Sequence, residues 1–214
     1  MPLSTKFFAT YDPPSDWATA DRARAPLPEI RFPDAAFPKP YADLVQRLRV
    51  PIGILVVAGF GWFARPSAVS LLAGLPLAIA GLALRAWAAG HLRKNQTLTT
   101  SGPYAWVRNP LYIGTSTAVA GCLIAAAQPI LAAATLAAFV LIYTPVVEQE
   151  EQHLRTLFPD YAAYALRVPQ FIPRLPRARS AQPFSFQIYQ RNKEYKALLG
   201  FLWAYAFLLL KTFL

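Results

Sequence analysis

Three stretches of the sequence combine residue types and spacings that suit chemistry. Arg85 lies inside the apolar run Gly81-Leu-Ala-Leu-Arg-Ala-Trp-Ala-Ala-Gly90. A guanidinium below a membrane surface costs about 2.5–3.5 kcal/mol on insertion scales and needs a partner. Two readings stay open. Near the helix end it can snorkel to lipid phosphates, or it can face an internal cavity and bind an anionic group, bidentately if a carboxylate. The second stretch is Thr99-Thr-Ser-Gly-Pro-Tyr-Ala-Trp-Val-Arg-Asn-Pro-Leu-Tyr-Ile-Gly114. Gly102-Pro103 marks a turn, and Asn109-Pro110 predicts an N-cap followed by proline at the first helical position. Arg108 then stands beside the positive end of a helix, an arrangement that suits an anion and equally a capped helix with an interfacial aromatic belt. The third stretch is Glu148-Gln-Glu-Glu-Gln-His-Leu-Arg155. Helical spacing puts Glu148 and Glu151 on one face, with Arg155 a turn beyond Glu151. This is either a solvated exit from the membrane or an acidic patch for a cation or for ligand hydroxyls and amines. The tyrosines of Phe158-Pro-Asp-Tyr-Ala-Ala-Tyr164 and the run Arg167-Val-Pro-Gln-Phe-Ile-Pro-Arg174 supply aromatic walls with polar tips.

The elements that must carry these residues are membrane helices. Of 214 residues 55% are apolar and 15% charged, against roughly 25% charged in ordinary soluble domains, and the mean hydropathy is +0.31. That balance excludes a disordered chain. The single Cys122 excludes an internal disulfide framework, and with two histidines it leaves no structural zinc set, so no metal site is expected. The net charge of +10 is assigned to a membrane surface rather than to nucleic acid. Residues 1–49 read as a polar, proline-rich tail without the pattern of a cleavable signal peptide, ending in a short interfacial helix over residues 41–49. Apolar segments follow at residues 50–64, 68–89, 111–127 and 130–147, the last two joined by a tight Ala127-Gln128-Pro129 turn. A fifth occupies residues 197–214. The predicted fold is all-α, a polytopic membrane protein of about five membrane helices. Eighteen of its 21 Lys and Arg then fall on one face and two, Arg65 and Lys211, on the other, with Arg85 inside a span. The positive-inside rule makes the rich face, with the tail and residues 91–109 and 148–196, cytoplasmic.

Order and spacing of these pieces resemble the isoprenylcysteine carboxyl methyltransferases and, more broadly, the membrane methyltransferases that include phospholipid methyltransferases. The resemblance covers residues 81–174 and rests on Leu84-Arg85, the Thr99 to Gly114 stretch, the Glu150-Glu151 pair, Leu154, Phe158, Tyr161, Tyr164, Val168-Pro169 and Ile172-Pro173. It implies a membrane core over residues 50–174 with a cytoplasmic-face pocket for S-adenosylmethionine and a lipid-like or prenylated substrate entering from the bilayer. It also implies that Tyr104, Arg108, Asn109, Tyr112, Gly114, Glu150 and Glu151 line the cofactor site, and that Arg85 and Glu151 are catalytic. Three departures stand out. Asn109 replaces a histidine of the eukaryotic enzymes, Pro159 replaces a glycine, and residues 175–214 add a linker and another apolar helix.

Methyl transfer from a sulfonium is an in-line displacement, to which a protein contributes mainly positioning and desolvation. A carboxylate acceptor needs no base, only a positive group such as Arg85. An amine acceptor needs Glu150 or Glu151 to take its proton. The embedded arginine therefore points to carboxyl O-methylation, ahead of headgroup N-methylation. A membrane reductase using NADPH shares the arginine-proline-tyrosine stretch, but the acidic pair opposes the extra phosphate of that cofactor. A lipid-binding or assembly subunit that keeps only the fold is the non-enzymatic alternative.

Overall fold

The computed structural model describes residues 37–175 and 182–213; the sequence-predicted tail up to residue 36 lies outside them. The described chain forms helices α1 (Lys39–Phe63), α2 (Ala68–Ala89), a 3-10 turn (Gly102–Ala105), α3 (Pro110–Ala126), α4 (Pro129–Leu157), α5 (Tyr161–Arg167), α6 (Phe186–Arg191) and α7 (Tyr195–Lys211). No strand occurs among the described residues. α2 and α4 are long and apolar enough to cross a membrane; Val50–Phe63 of α1 and all of α3 are apolar but shorter. α7 has 17 residues. Large apolar side chains point outward: Trp62, for example, is 81% exposed and Val69 78%. A water-soluble surface does not tolerate such continuous apolar faces, whereas lipid does.

Two element boundaries differ from the sequence reading. The interfacial helix and the first apolar segment are one continuous α1, running through Pro51. Proline removes one backbone hydrogen bond, and packing of α1 along α4 holds the helix together across it. Part of that packing is the Tyr41 hydroxyl, which donates to the Leu141 carbonyl at 2.9 Å. The apolar segment of residues 130–147 is likewise part of a longer helix: α4 runs on through the acidic cluster to Leu157, with the helical spacing that the sequence gives Glu148, Glu151 and Arg155. α3 and α4 are joined by a tight turn with Ala127 in the left-handed region (φ 50°). Beyond the turn they diverge, and α4 packs chiefly on α1.

The tightest contact in the bundle joins α2 and α3. α2 presents Gly74, Ala78 and Gly81; α3 presents Gly114, Ala118, Gly121 and Ala125. A Cβ placed on Gly74 would lie 2.2 Å from the Gly121 carbonyl oxygen, and one on Gly81 would lie 2.3 Å from the Ala118 nitrogen. The two backbones therefore touch directly, as small-residue stripes allow in membranes. The start of α2 is fixed by a capping box between Ser67 and Ser70, and the Ser70 hydroxyl also donates to the Ala125 carbonyl at 2.9 Å.

α7 completes the bundle beside α2, with the Tyr205 hydroxyl donating to the Leu71 carbonyl at 2.9 Å. At one end of the bundle, Lys211 Nζ donates to the Gly61 and Trp62 carbonyls at 2.7 and 2.9 Å, closing the last turn of α1. The Arg65 main-chain N–H donates to Ala126 O at 2.8 Å at the same end. The two basic residues that the charge count sets apart from the rest thus share one end of the molecule.

Gly74→Ala is expected to lower stability by about 1–3 kcal/mol, since the added methyl has nowhere to go. Gly53→Ala, whose Cβ meets nothing within 4 Å, should be neutral or mildly stabilising. Thermal unfolding of both in one detergent checks this; equal melting temperatures would contradict the backbone contact.

Candidate active site

At the opposite end of the bundle the chain between α2 and α3 folds back over the helix ends. Gly102 takes a positive φ of 57°, and the His91 ring lies where its side chain would be, 2.7 Å from an ideal Cβ. Glycine meets both demands at once. The 3-10 turn that follows carries Tyr104, and the chain then enters α3 through Asn109 at the N-cap and Pro110 at the first helical position. The capping position is the one the sequence predicts, yet the Asn109 side chain does not cap. Its Nδ2 donates instead to Glu151 Oε1 at 2.9 Å.

Glu151 is the hub of this end. Arg108 Nε donates to its Oε1 at 3.0 Å and Arg108 Nη2 to its Oε2 at 3.2 Å, a two-pronged pairing. Arg155, one turn along α4, places Nη2 3.8 Å from Oε2. Arg108 Nη1 also donates to the Ala165 carbonyl at 2.9 Å, and the Arg108 main-chain N–H donates to Pro169 O at 2.8 Å. One carboxylate, 3% exposed, thereby ties α4, the entry to α3 and the segment around α5 together. Its burial is tolerated because both oxygens are filled by donors and its charge is matched.

A cleft opens beside this hub. Tyr104, Arg108, Asn109, Tyr112 and Glu150 line it, with Arg93 and Lys94 from the preceding loop. Leu98, Phe158, Tyr161 and Tyr164 pack into one apolar cluster against it. The Tyr164 hydroxyl donates to the Tyr104 carbonyl at 2.8 Å. The Tyr104 hydroxyl is buried and has no hydrogen-bond partner among the described residues. Burial, first among the causes, raises the pKa of Tyr104, Tyr161 and Tyr164 above the ordinary phenol range, so each is a neutral hydroxyl at neutral pH. Glu150 is exposed and accepts from the Tyr112 hydroxyl at 2.8 Å. Adjacent helix positions point about 100° apart, which gives Glu150 to the cleft and Glu151 to the strut behind its wall.

Two expected site residues lie elsewhere. Gly114 is in the α2–α3 contact, where the Gly81 carbonyl and the Arg85 stem, each 2.7 Å from an ideal Cβ, leave it no side chain. Arg85 packs on Gly114 and turns to Glu194, whose Oε1 accepts from Arg85 Nε at 2.5 Å. Arg85 Nη1 donates to the Thr115 hydroxyl. Sequence reasoning missed Glu194. The available signal was that it is the one acidic residue between residues 175 and 214. It also missed Arg93 and Lys94 as lining, because loop residues carry no periodicity that would aim them.

The model of the phospholipid methyltransferase family matches residues 67–161. The chain is 40% identical over 124 residues to the cobalt-zinc-cadmium resistance protein CzcN of Cupriavidus metallidurans, a match covering 56% of each protein. It is 33% identical over 178 residues to the nickel-cobalt-cadmium resistance protein NccN of Alcaligenes xylosoxydans xylosoxydans, covering 75% of this chain and 82% of that one. The match to CzcN thus spans little more than half of that protein's length. No solved structure matches the chain.

The two neighbouring glutamates should separate under substitution. Glu151→Ala strands Arg108 without its counter-ion and is expected to cost about 3–5 kcal/mol of stability. Glu150→Ala should melt like the parent. Scanning calorimetry of both variants is the check, and matching losses would remove Glu151 from the structural role.

Proposed function

The chain belongs to the phospholipid methyltransferase family, and from that premise we propose that it is a membrane enzyme transferring the methyl group of S-adenosylmethionine to a lipid-like acceptor. The observation that carries the proposal is that Tyr104, Arg108, Asn109, Tyr112 and Glu150, all inside the family-matched segment, converge on one cleft at one end of the bundle. The residues suit the cofactor. Arg93 and Lys94 offer positive charge for its carboxylate, and Glu150 accepts from ribose hydroxyls or an ammonium. The buried, unpartnered Tyr104 hydroxyl offers a donor, and the aromatic cluster excludes water. When bound, S-adenosylmethionine supplies the electrophilic methyl group; the chain's own residues bind, orient and desolvate. In this reading the cleft faces the cytoplasm, where the cofactor is made, and the acceptor arrives from the bilayer.

The chemistry of the acceptor is set by which groups stand ready for it. Arg85 was the reason to expect a carboxylate, and that guanidinium is paired with Glu194. Carboxyl O-methylation of an isoprenylcysteine-type acceptor therefore rests on the family resemblance alone, and N-methylation of an aminophospholipid headgroup stands level with it. For an amine, Glu150 is the carboxylate at the cleft able to take a proton, since both oxygens of Glu151 are engaged by Arg108 and Asn109.

A second reading has one observation in its favour. With Glu151 neutralised by Arg108, only Glu150 opposes a phosphate, while Arg93 and Lys94 line the same cleft. An NADPH-dependent reductase is thereby a live competitor. Calorimetric titration of detergent-purified protein with S-adenosylhomocysteine and, in parallel, with NADPH separates the two. Saturable binding of S-adenosylhomocysteine alone is the expected result; binding of NADPH alone would overturn the proposal.

A further inference from the structure

The segment after the family-matched core is built into the site's end of the bundle. The Phe184 ring covers Gly90, 2.1 Å from where a Cβ would stand, and the Ser185 N–H donates to the Gly90 carbonyl at 3.1 Å. Asn192 Nδ2 donates to the carbonyls of Ala89 and Leu92 at 2.8 and 2.9 Å, closing the last turn of α2, whose final carbonyls have no partner within the helix. Two residues later Glu194 occupies the N-cap position of α7, where the helix dipole favours a carboxylate. From there it reaches Arg85.

The Arg85–Glu194 pair is neither sealed nor solvent-swept: the two side chains are 22% and 12% exposed. Arg85 cannot withdraw, because its stem is wedged against Gly114 and its Nη1 is held by Thr115. The guanidinium that an incoming carboxylate or phosphate would use is therefore presented in a fixed direction, and the chain's own carboxylate already takes its Nε. The Tyr104 phenol is held above its usual range first by burial and then by Glu150 and Glu194, with Arg85 opposing.

We propose that Glu194 is a specificity-determining residue, an internal carboxylate ligand of Arg85 that keeps anionic lipid headgroups out of the site. This rests on reading the cleft end of the bundle as the acceptor site. An uncharged or cationic headgroup meets a neutral ion pair, whereas an anionic one must displace Glu194 and leave its largely buried carboxylate without a counter-ion.

Oleate, a membrane-partitioning carboxylate, probes this directly on the full chain in a neutral detergent, with oleyl alcohol as the uncharged control. Glu194→Gln is expected to bind oleate about tenfold more tightly than the parent, and Arg85→Ala added to it should abolish the gain. Oleyl alcohol should bind all three alike. Unchanged oleate affinity in a folded Glu194→Gln would overturn the proposal. Arg85→Gln alone gives a second test that does not require Glu194→Gln to fold. If Glu194 already holds the guanidinium, removing Arg85 leaves oleate binding as it is, and a severalfold loss shows instead an open arginine. Titrating the same samples with S-adenosylhomocysteine keeps the questions apart. Failure there removes the methyltransferase reading, while oleate discrimination reports on Glu194 alone.

Discussion

The backbone contact between α2 and α3 is the constraint on which the rest of the molecule depends. Lipid provides no hydrophobic drive for helices to associate, so close van der Waals packing has to supply it. Gly74, Ala78 and Gly81 set against Gly114, Ala118, Gly121 and Ala125 bring the backbones together. The same glycines also fix the register, since a shift along the axis would drive methyl groups into carbonyls. Arg85 continues the α2 stripe one turn beyond Gly81. It must emerge against Gly114, at the bundle end where the loop between the helices and the end of α4 assemble the cleft. A packing motif with no chemistry of its own thus determines where the embedded charge stands.

Charge is then apportioned by geometry between neighbours of identical type. Glu150 and Glu151 are adjacent on α4, yet one is exposed at the cleft and the other is buried beneath Arg108 and Asn109. The strut made by Glu151 stands behind the cleft that Tyr104, Tyr112 and Glu150 line. Asn109 illustrates the same economy: it stands at a helix N-cap, but its side chain serves the strut. The Arg85–Glu194 pair repeats the pattern, tying the start of α7 to α2.

Much of this was legible in the sequence. The all-helical class, α2 with its Ala68 to Ala89 bounds, the turn at Gly102, the helix start at Pro110 and the tight connection before Pro129 all follow from local signals of hydropathy, proline and glycine. Local signals fail where distant packing decides. Residues 41–49 and 50–64 read as two elements, and packing on α4 makes them one α1 that runs through Pro51. The acidic cluster reads either as a solvated exit or as a ligand-binding patch, and only the pairing of Glu151 with Arg108 and Asn109 shows which of its carboxylates is buried. Gly114 belongs to the motif at the cleft in sequence and to the helix contact in space, because a glycine's role depends on what approaches it. Glu194 stands out in the sequence as the one acid of its segment, but nothing in a one-dimensional pattern pairs it with a residue 109 positions earlier.

The function proposed for the cleft end of this bundle is methyl transfer to a membrane-partitioned acceptor. Its most direct test is incubation of membranes containing the protein with S-adenosylmethionine labelled in the methyl group, followed by extraction into organic solvent and counting of both phases. The account requires label in the organic phase that depends on the protein and falls when excess S-adenosylhomocysteine is present. Organic-phase counts no higher than in membranes lacking the protein, with the protein folded and present, would contradict it.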